Sequence, residues 1–150
     1  MNPKDYIVYE KNIGARSANY SNFPESLLPE IKEYLVSNGI RQLYSHQSEM
    51  FEFAIKGNNI VITTSTASGK TLSFLLPVLQ EILKNPSTRA IFVYPTKALA
   101  SDQYRAIKPF LDYFGNNRIY AGVYDGDTPV NERSILRKKA NIILTNPEML

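Results

Sequence analysis

Hydrophobic positions along this chain fall into blocks whose period switches between helical and extended spacing, and the blocks predict the elements. Leu27, Leu28, Ile31 and Leu35 share one helical face after Pro24-Glu25-Ser26, and Asn38-Gly39 ends that helix. Met50, Phe51, Ala54 and Ile55 mark the buried face of a second helix, with Ser45 as its expected N-cap and Gly57-Asn58-Asn59 as its stop. The β-branched run from Ile60 to Thr63 predicts the first strand. Leu72, Leu75, Leu76, Leu79, Ile82 and Leu83 then carry a strongly amphipathic helix to about Asn85, in which Pro77 removes a backbone donor and predicts a kink. Ala90 to Tyr94 is a continuous apolar strand of the kind covered on both faces. Thr96 caps a helix running to Phe114 with Pro109 inside it, Ile119 to Tyr124 is a third strand, Asn131 to Lys139 a short basic helix, and Ile142-Ile143-Leu144 a fourth strand. Residues 1–23 show no sustained period, and their aromatics Tyr6, Tyr9, Tyr20 and Phe23 predict an extended arm ahead of a folded unit over 24–150.

Strand and helix alternate through the folded unit, which predicts an α/β fold with a parallel sheet, helices on both faces and ligands at the carboxyl ends of the strands. At 150 residues with 43% hydrophobic content, one domain with a buried core is expected. No apolar run approaches the roughly 18 residues of a membrane span and no secretory leader is visible, so no membrane contact and a cytoplasmic location are expected. Without cysteine and with one histidine, the chain has no set of soft ligands for zinc. The net charge of +3 is unevenly placed, with 7 Lys/Arg against 7 Asp/Glu in residues 1–75 and 10 against 7 in residues 76–150. A mild basic bias of that size is compatible with a polyanionic partner and does not establish one.

Candidate chemistry concentrates at Thr64-Ser65-Thr66-Ala67-Ser68-Gly69-Lys70-Thr71, a turn of small residues between a predicted strand and a predicted helix. Polyphosphate must be approached by backbone N–H groups, which only small side chains permit, and the following helix N-terminus adds its positive dipole end. Lys70 would reach the terminal phosphates of ATP and the Thr71 hydroxyl would ligate Mg²⁺. The usual pattern asks for glycine where Thr64 stands, so this loop departs from it at one position. The bland alternative is a Ser/Thr-rich turn before an unrelated helix.

Four further stretches follow the same logic. In Leu43-Tyr44-Ser45-His46-Gln47, the Gln47 amide has both the donor and the acceptor that an adenine edge requires. In Tyr94-Pro95-Thr96-Lys97-Ala98-Leu99-Ala100-Ser101-Asp102-Gln103, a capped helix start with Pro95, Thr96 and Lys97 suits a phosphate. Tyr124-Asp125-Gly126-Asp127-Thr128-Pro129 offers a tight turn at Gly126 and a hydroxyl at Thr128, although surface turns of this composition are common. Thr145-Asn146-Pro147-Glu148-Met149-Leu150 places Thr145 and Asn146 at a strand end. Taken in order with the loop, these stretches resemble the first RecA-like domain of a superfamily 2 DEAD/DEAH-box-type helicase over roughly residues 40–150, with wording most similar to the mitomycin-repair helicase branch.

That resemblance implies a P-loop NTPase sheet, an ATP-dependent helicase activity with ATP and Mg²⁺ as cofactors, a 3′→5′ polarity, and single-stranded DNA as the strand held, RNA being the alternative. It implies an adenine contact at Gln47, catalytic roles for Lys70 and Thr71, and a strand track over Pro95, Thr96, Lys97, Gly126, Thr128, Thr145 and Asn146. The family's acidic box, its Ser-Ala-Thr motif and its second motor domain are expected downstream of Leu150, so the sheet is expected to be incomplete at its C-terminal end. Asp125, Asp127 and Glu148 do not match the acidic box in wording. Two competing readings stand beside this one: a nucleotide- or nucleic-acid-binding module without turnover, and a P-loop kinase acting on a small molecule.

Overall fold

The computed structural model of the chain describes residues 18–64 and 68–150. Five helices and five short strands occur among them: β1 (Tyr20–Ser21), α1 (Pro29–Ser37), β2 (Leu43–Tyr44), α2 (Ser45–Ile55), α3 (Lys70–Lys84), β3 (Ala90–Val93), α4 (Lys97–Phe114), β4 (Ala121–Tyr124), α5 (Val130–Lys139) and β5 (Ile142–Thr145). The sheet that organises the molecule is parallel, in the order β3-β5-β4, with Val93, Thr145 and Tyr124 in register at its carboxyl end. Helices α4 and α5 are the two crossovers. β1 and β2 form a separate antiparallel pair, Tyr20 opposite Tyr44, so part of the expected arm is tied to the start of α2.

The core lies where α1, α2, α3 and α4 meet one face of the sheet. Ile31 and Leu35 of α1, Phe51 of α2, Leu75, Leu76, Leu79 and Ile82 of α3, Ile107 and Leu111 of α4, and Ile142 and Leu144 of β5 are all buried. Each fully buried aliphatic side chain stabilises the fold by about 1.5–3 kcal/mol relative to exposure. Gln80 of α3 is buried among them and uses both ends of its amide: Oε1 accepts from the Leu28 N–H at 2.8 Å, and Nε2 donates to the Ser26 carbonyl at 3.0 Å. On the other face α5 packs closely on β4, where a Cβ on Gly122 would stand 2.5 Å from Leu136 Cδ2.

Three local expectations need correction. Residues 60–63 form no ladder, and Val61 is 90% exposed; a strand needs a neighbour to satisfy its backbone, and a β-branched run supplies only the propensity. β3 is covered on one face alone: Phe92 packs on the core, while Ile91 and Val93 are exposed. Ser45 is the first residue of α2 rather than its cap, because the extended residue before it is Tyr44, whose N–H is met by Gln47 Oε1 at 2.9 Å. Helix α3 runs continuously from Lys70 to Lys84 with Pro77 inside it. Among the described residues no helix is long and apolar enough to cross a membrane.

Candidate functional site

Gly69 (φ +75°) leads directly into α3, a left-handed conformation that glycine adopts at little cost, so Lys70 and Thr71 open the helix. Ser65, Thr66 and Ala67 lie outside the described residues; Thr64 and Ser68 flank them, their hydroxyls 2.6 Å apart. Lys70 Nζ donates to the Thr64 carbonyl at 3.0 Å, to Thr64 Oγ1 at 3.1 Å and to Ser68 Oγ at 3.4 Å, so the ammonium is gathered against oxygens of the loop. The Thr71 hydroxyl donates to Gln103 Oε1 at 2.8 Å, across to α4.

The first turn of α2 grips the loop from the other side. His46 Nε2 lies 3.0 Å from the Ser68 carbonyl, which selects the tautomer with its proton on Nε2, and Gln47 Nε2 donates to the Gly69 carbonyl at 3.0 Å. Gln47 is 4% exposed and ties Tyr44 to Gly69, using one amide proton and one lone pair of its oxygen. Beside it opens a cleft of about 470 Å³ lined by Tyr20, Arg41, Gln42, Tyr44, Gln47 and Gly69. The rings of Tyr20 and Tyr44 stack at 5.1 Å, and the Tyr44 hydroxyl holds the Tyr20 phenol above its ordinary value. An aromatic wall next to a phosphate loop suits a nucleobase.

The second half of the site forms where α4 starts. Thr96 caps the helix, its hydroxyl accepting from the Leu99 N–H at 3.2 Å, and Pro95 and Thr96 are exposed. Lys97 reaches across to the turn after β4, with Nζ 3.2 Å from both carboxylate oxygens of Asp127. That turn is built by buried Asp125, whose Oδ1 accepts from the N–H groups of Asp127 at 2.9 Å and Thr128 at 3.0 Å. The Thr128 hydroxyl is engaged inside the turn, 3.1 Å from the Val123 carbonyl. Arg133 of α5 closes it from below, donating through Nε to the Thr128 carbonyl at 2.6 Å and through Nη2 to the Gly126 carbonyl at 2.8 Å.

The structure therefore brings Thr96, Lys97, Gly126 and Thr128 together. Thr145 sits beneath them, 2% exposed, its hydroxyl donating to the Tyr124 carbonyl at 2.6 Å. Asn146 is 3% exposed and donates to Glu148 Oε2 at 3.3 Å. Tyr94 has a buried hydroxyl that desolvation pushes up to about 12, so it is neutral at any working pH. Sequence reasoning missed Tyr20 and Tyr44 as walls of the cleft, His46 as a grip on the loop, Gln103 as the partner of Thr71 and Arg133 as the clamp on the turn. Tyr44 and His46 stand in the Leu43–Gln47 stretch and Gln103 in the Tyr94–Gln103 stretch, which is the signal that could have found them. Among the described residues no group of three or more acidic or histidine side chains comes together to hold a metal.

Comparison with known proteins places this geometry. The DEAD/DEAH box helicase family matches residues 44–150. The uncharacterized ATP-dependent helicase YprA of Bacillus subtilis is 43% identical over 144 residues, 96% of this chain and 19% of its own length. The ATP-dependent helicase HRQ1 of Saccharomyces cerevisiae is 38% identical over 92% of this chain and 13% of its own length. The crystal structure of the DUF1998 helicase MrfA bound to DNA and AMPPNP superimposes with a TM-score of 0.85 at 44% identity, over 91% of this chain and 19% of that one. The chain thus spans about a fifth or less of the length of these relatives.

Proposed function

The chain belongs to the DEAD/DEAH box helicase family, and from that premise we propose that it is the ATP-gripping part of an ATP-dependent helicase whose strand is single-stranded DNA. The observation that carries this reading is the hydrogen bond from Thr71, in the first turn of α3 behind the loop, to Gln103, in the second turn of the helix that Thr96 caps. Each helix presents the positive end of its dipole there, one for a nucleotide polyphosphate and the other for a backbone phosphate.

The residues fit a magnesium nucleotide. Lys70 already rests among hydroxyl and carbonyl oxygens that a phosphate group replaces, and the Thr71 proton is taken by Gln103, which leaves the hydroxyl oxygen free to face a cation. Magnesium, when bound, neutralises charge on the phosphates. The chain's own part is to bind and orient: Tyr20, backed by the Tyr44 ring, faces the base, Gln47 meets its edge, the small residues Ser65, Thr66, Ala67 and Ser68 admit phosphate, and Lys70 meets its terminal charge. Beside this, Pro95, Thr96, Lys97 and the Gly126–Thr128 turn form the strand-facing surface, with Thr145 and Asn146 as its floor. DNA rather than RNA is favoured by the similarity to the helicase solved with DNA and AMPPNP.

Labelled single-stranded oligonucleotide, followed by anisotropy over a salt series, tests the reading. The parent should bind, and Lys97→Gln should weaken binding and flatten the salt slope by about one unit or less, with little change in sequence preference. Equal affinities and slopes for parent and variant would contradict the surface assigned here.

A further inference from the structure

A threonine hydroxyl has one proton and two lone pairs, and its value as a cation ligand depends on where that proton points. In this chain the Thr71 proton points at Gln103 Oε1, 2.8 Å away. Gln103 is half-buried in the second turn of α4, on the helix whose first turn carries Lys97 and the Thr96 cap. Its neighbour Asp102 is occupied on the surface with Arg105 at 3.1 Å, so the acceptor facing α3 is a neutral amide and not a carboxylate.

We propose that Gln103 is a positioning residue for magnesium: by accepting the Thr71 proton it aims the hydroxyl lone pairs at the cation, and it makes cation affinity depend on the placement of α4. This rests on the nucleotide reading above. Hydrogen-bond partners behind a metal ligand fix its orientation and raise its basicity, and their loss weakens metal binding even though they never touch the ion. Without the acceptor, the Thr71 hydroxyl rotates among its staggered wells and spends part of its time with the proton toward the cation.

The test is calorimetric titration of the 150-residue chain with ATP in excess Mg²⁺ and in EDTA, for the parent, Gln103→Met and Gln103→Glu. Methionine keeps the length and packing of the side chain and removes the acceptor; glutamate keeps an acceptor oxygen at the same reach. The parent should bind ATP more tightly with Mg²⁺ than without. In Gln103→Met that gain should shrink by about three- to tenfold, the size of one net hydrogen bond, with affinity in EDTA unchanged. Gln103→Glu should keep the gain. An equal loss for Gln103→Met in Mg²⁺ and in EDTA would make Gln103 a plain structural tie, and no loss in either would also overturn the proposal. A parent that binds ATP equally with and without Mg²⁺ overturns this inference and leaves the nucleotide reading standing, whereas a parent that binds no ATP overturns both.

Discussion

Gly69 answers two demands at once. Its φ of +75° is one that an L side chain rarely adopts, and a Cβ there would stand 2.5 Å from Gln47 Nε2, in the grip that holds the loop. Gly69→Ala should therefore cost about 1–2 kcal/mol in urea unfolding, because it adds backbone strain and displaces the Gln47 amide from the Gly69 carbonyl; an unchanged midpoint would show that the loop relaxes freely. The Gly69-Lys70-Thr71 stretch was legible in the sequence because it is a local pattern whose chemistry follows from residue type. Gln47, by contrast, was singled out in the sequence, but its bonding could not be read there. Its partners Tyr44 and Gly69, and the bond from Thr71 to Gln103, are fixed by how helices cross, which no local spacing encodes.

Among the elements, helix positions were readable and pairings less so. Helix α3 and helix α4 lie where their apolar periods put them, since a 3.6-residue repeat marks a buried stripe whatever it packs on. Residues 60–63 carry strand propensity without a ladder, and β3 carries an apolar run with one open face, because both properties depend on neighbours the period does not name. Helix α1 is held by a long-range contact: Arg118 Nη1 and Nη2 donate to the two Glu30 carboxylate oxygens at 2.6 and 3.0 Å, joining it to the turn after α4. The hydrogen bond from Arg118 holds the Glu30 carboxyl below its ordinary value. A lowered value in the folded state means that the stabilisation is present above the unfolded-state carboxylate pKa and is lost as pH falls through the folded one. The pair is partly exposed and screened, so it contributes about 0.5 kcal/mol, and Glu30→Gln should remove that increment at neutral pH and flatten the acid limb of a melting-temperature profile. Parallel acid limbs for parent and variant would count against the tether.

At the scale of the whole molecule, the Thr71–Gln103 bond links the proposed nucleotide half (α2 and α3) to the proposed strand half (α4, the sheet and the turn after β4). Val61, Ile91 and Val93 stay exposed at the boundary, where unpaired backbone and apolar side chains invite association and weaken the fold. The chain should melt below about 65 °C. A melting curve checks this, and a cooperative melt well above that temperature would contradict the account. The central claim, that the loop before α3 is a nucleotide grip, is tested most directly by titrating MgATP into the parent and into Lys70→Ala in a calorimeter. Loss of a charge-assisted contact to a partly desolvated phosphate should weaken binding by roughly 2–4 kcal/mol. Equal affinities for the two proteins would contradict it.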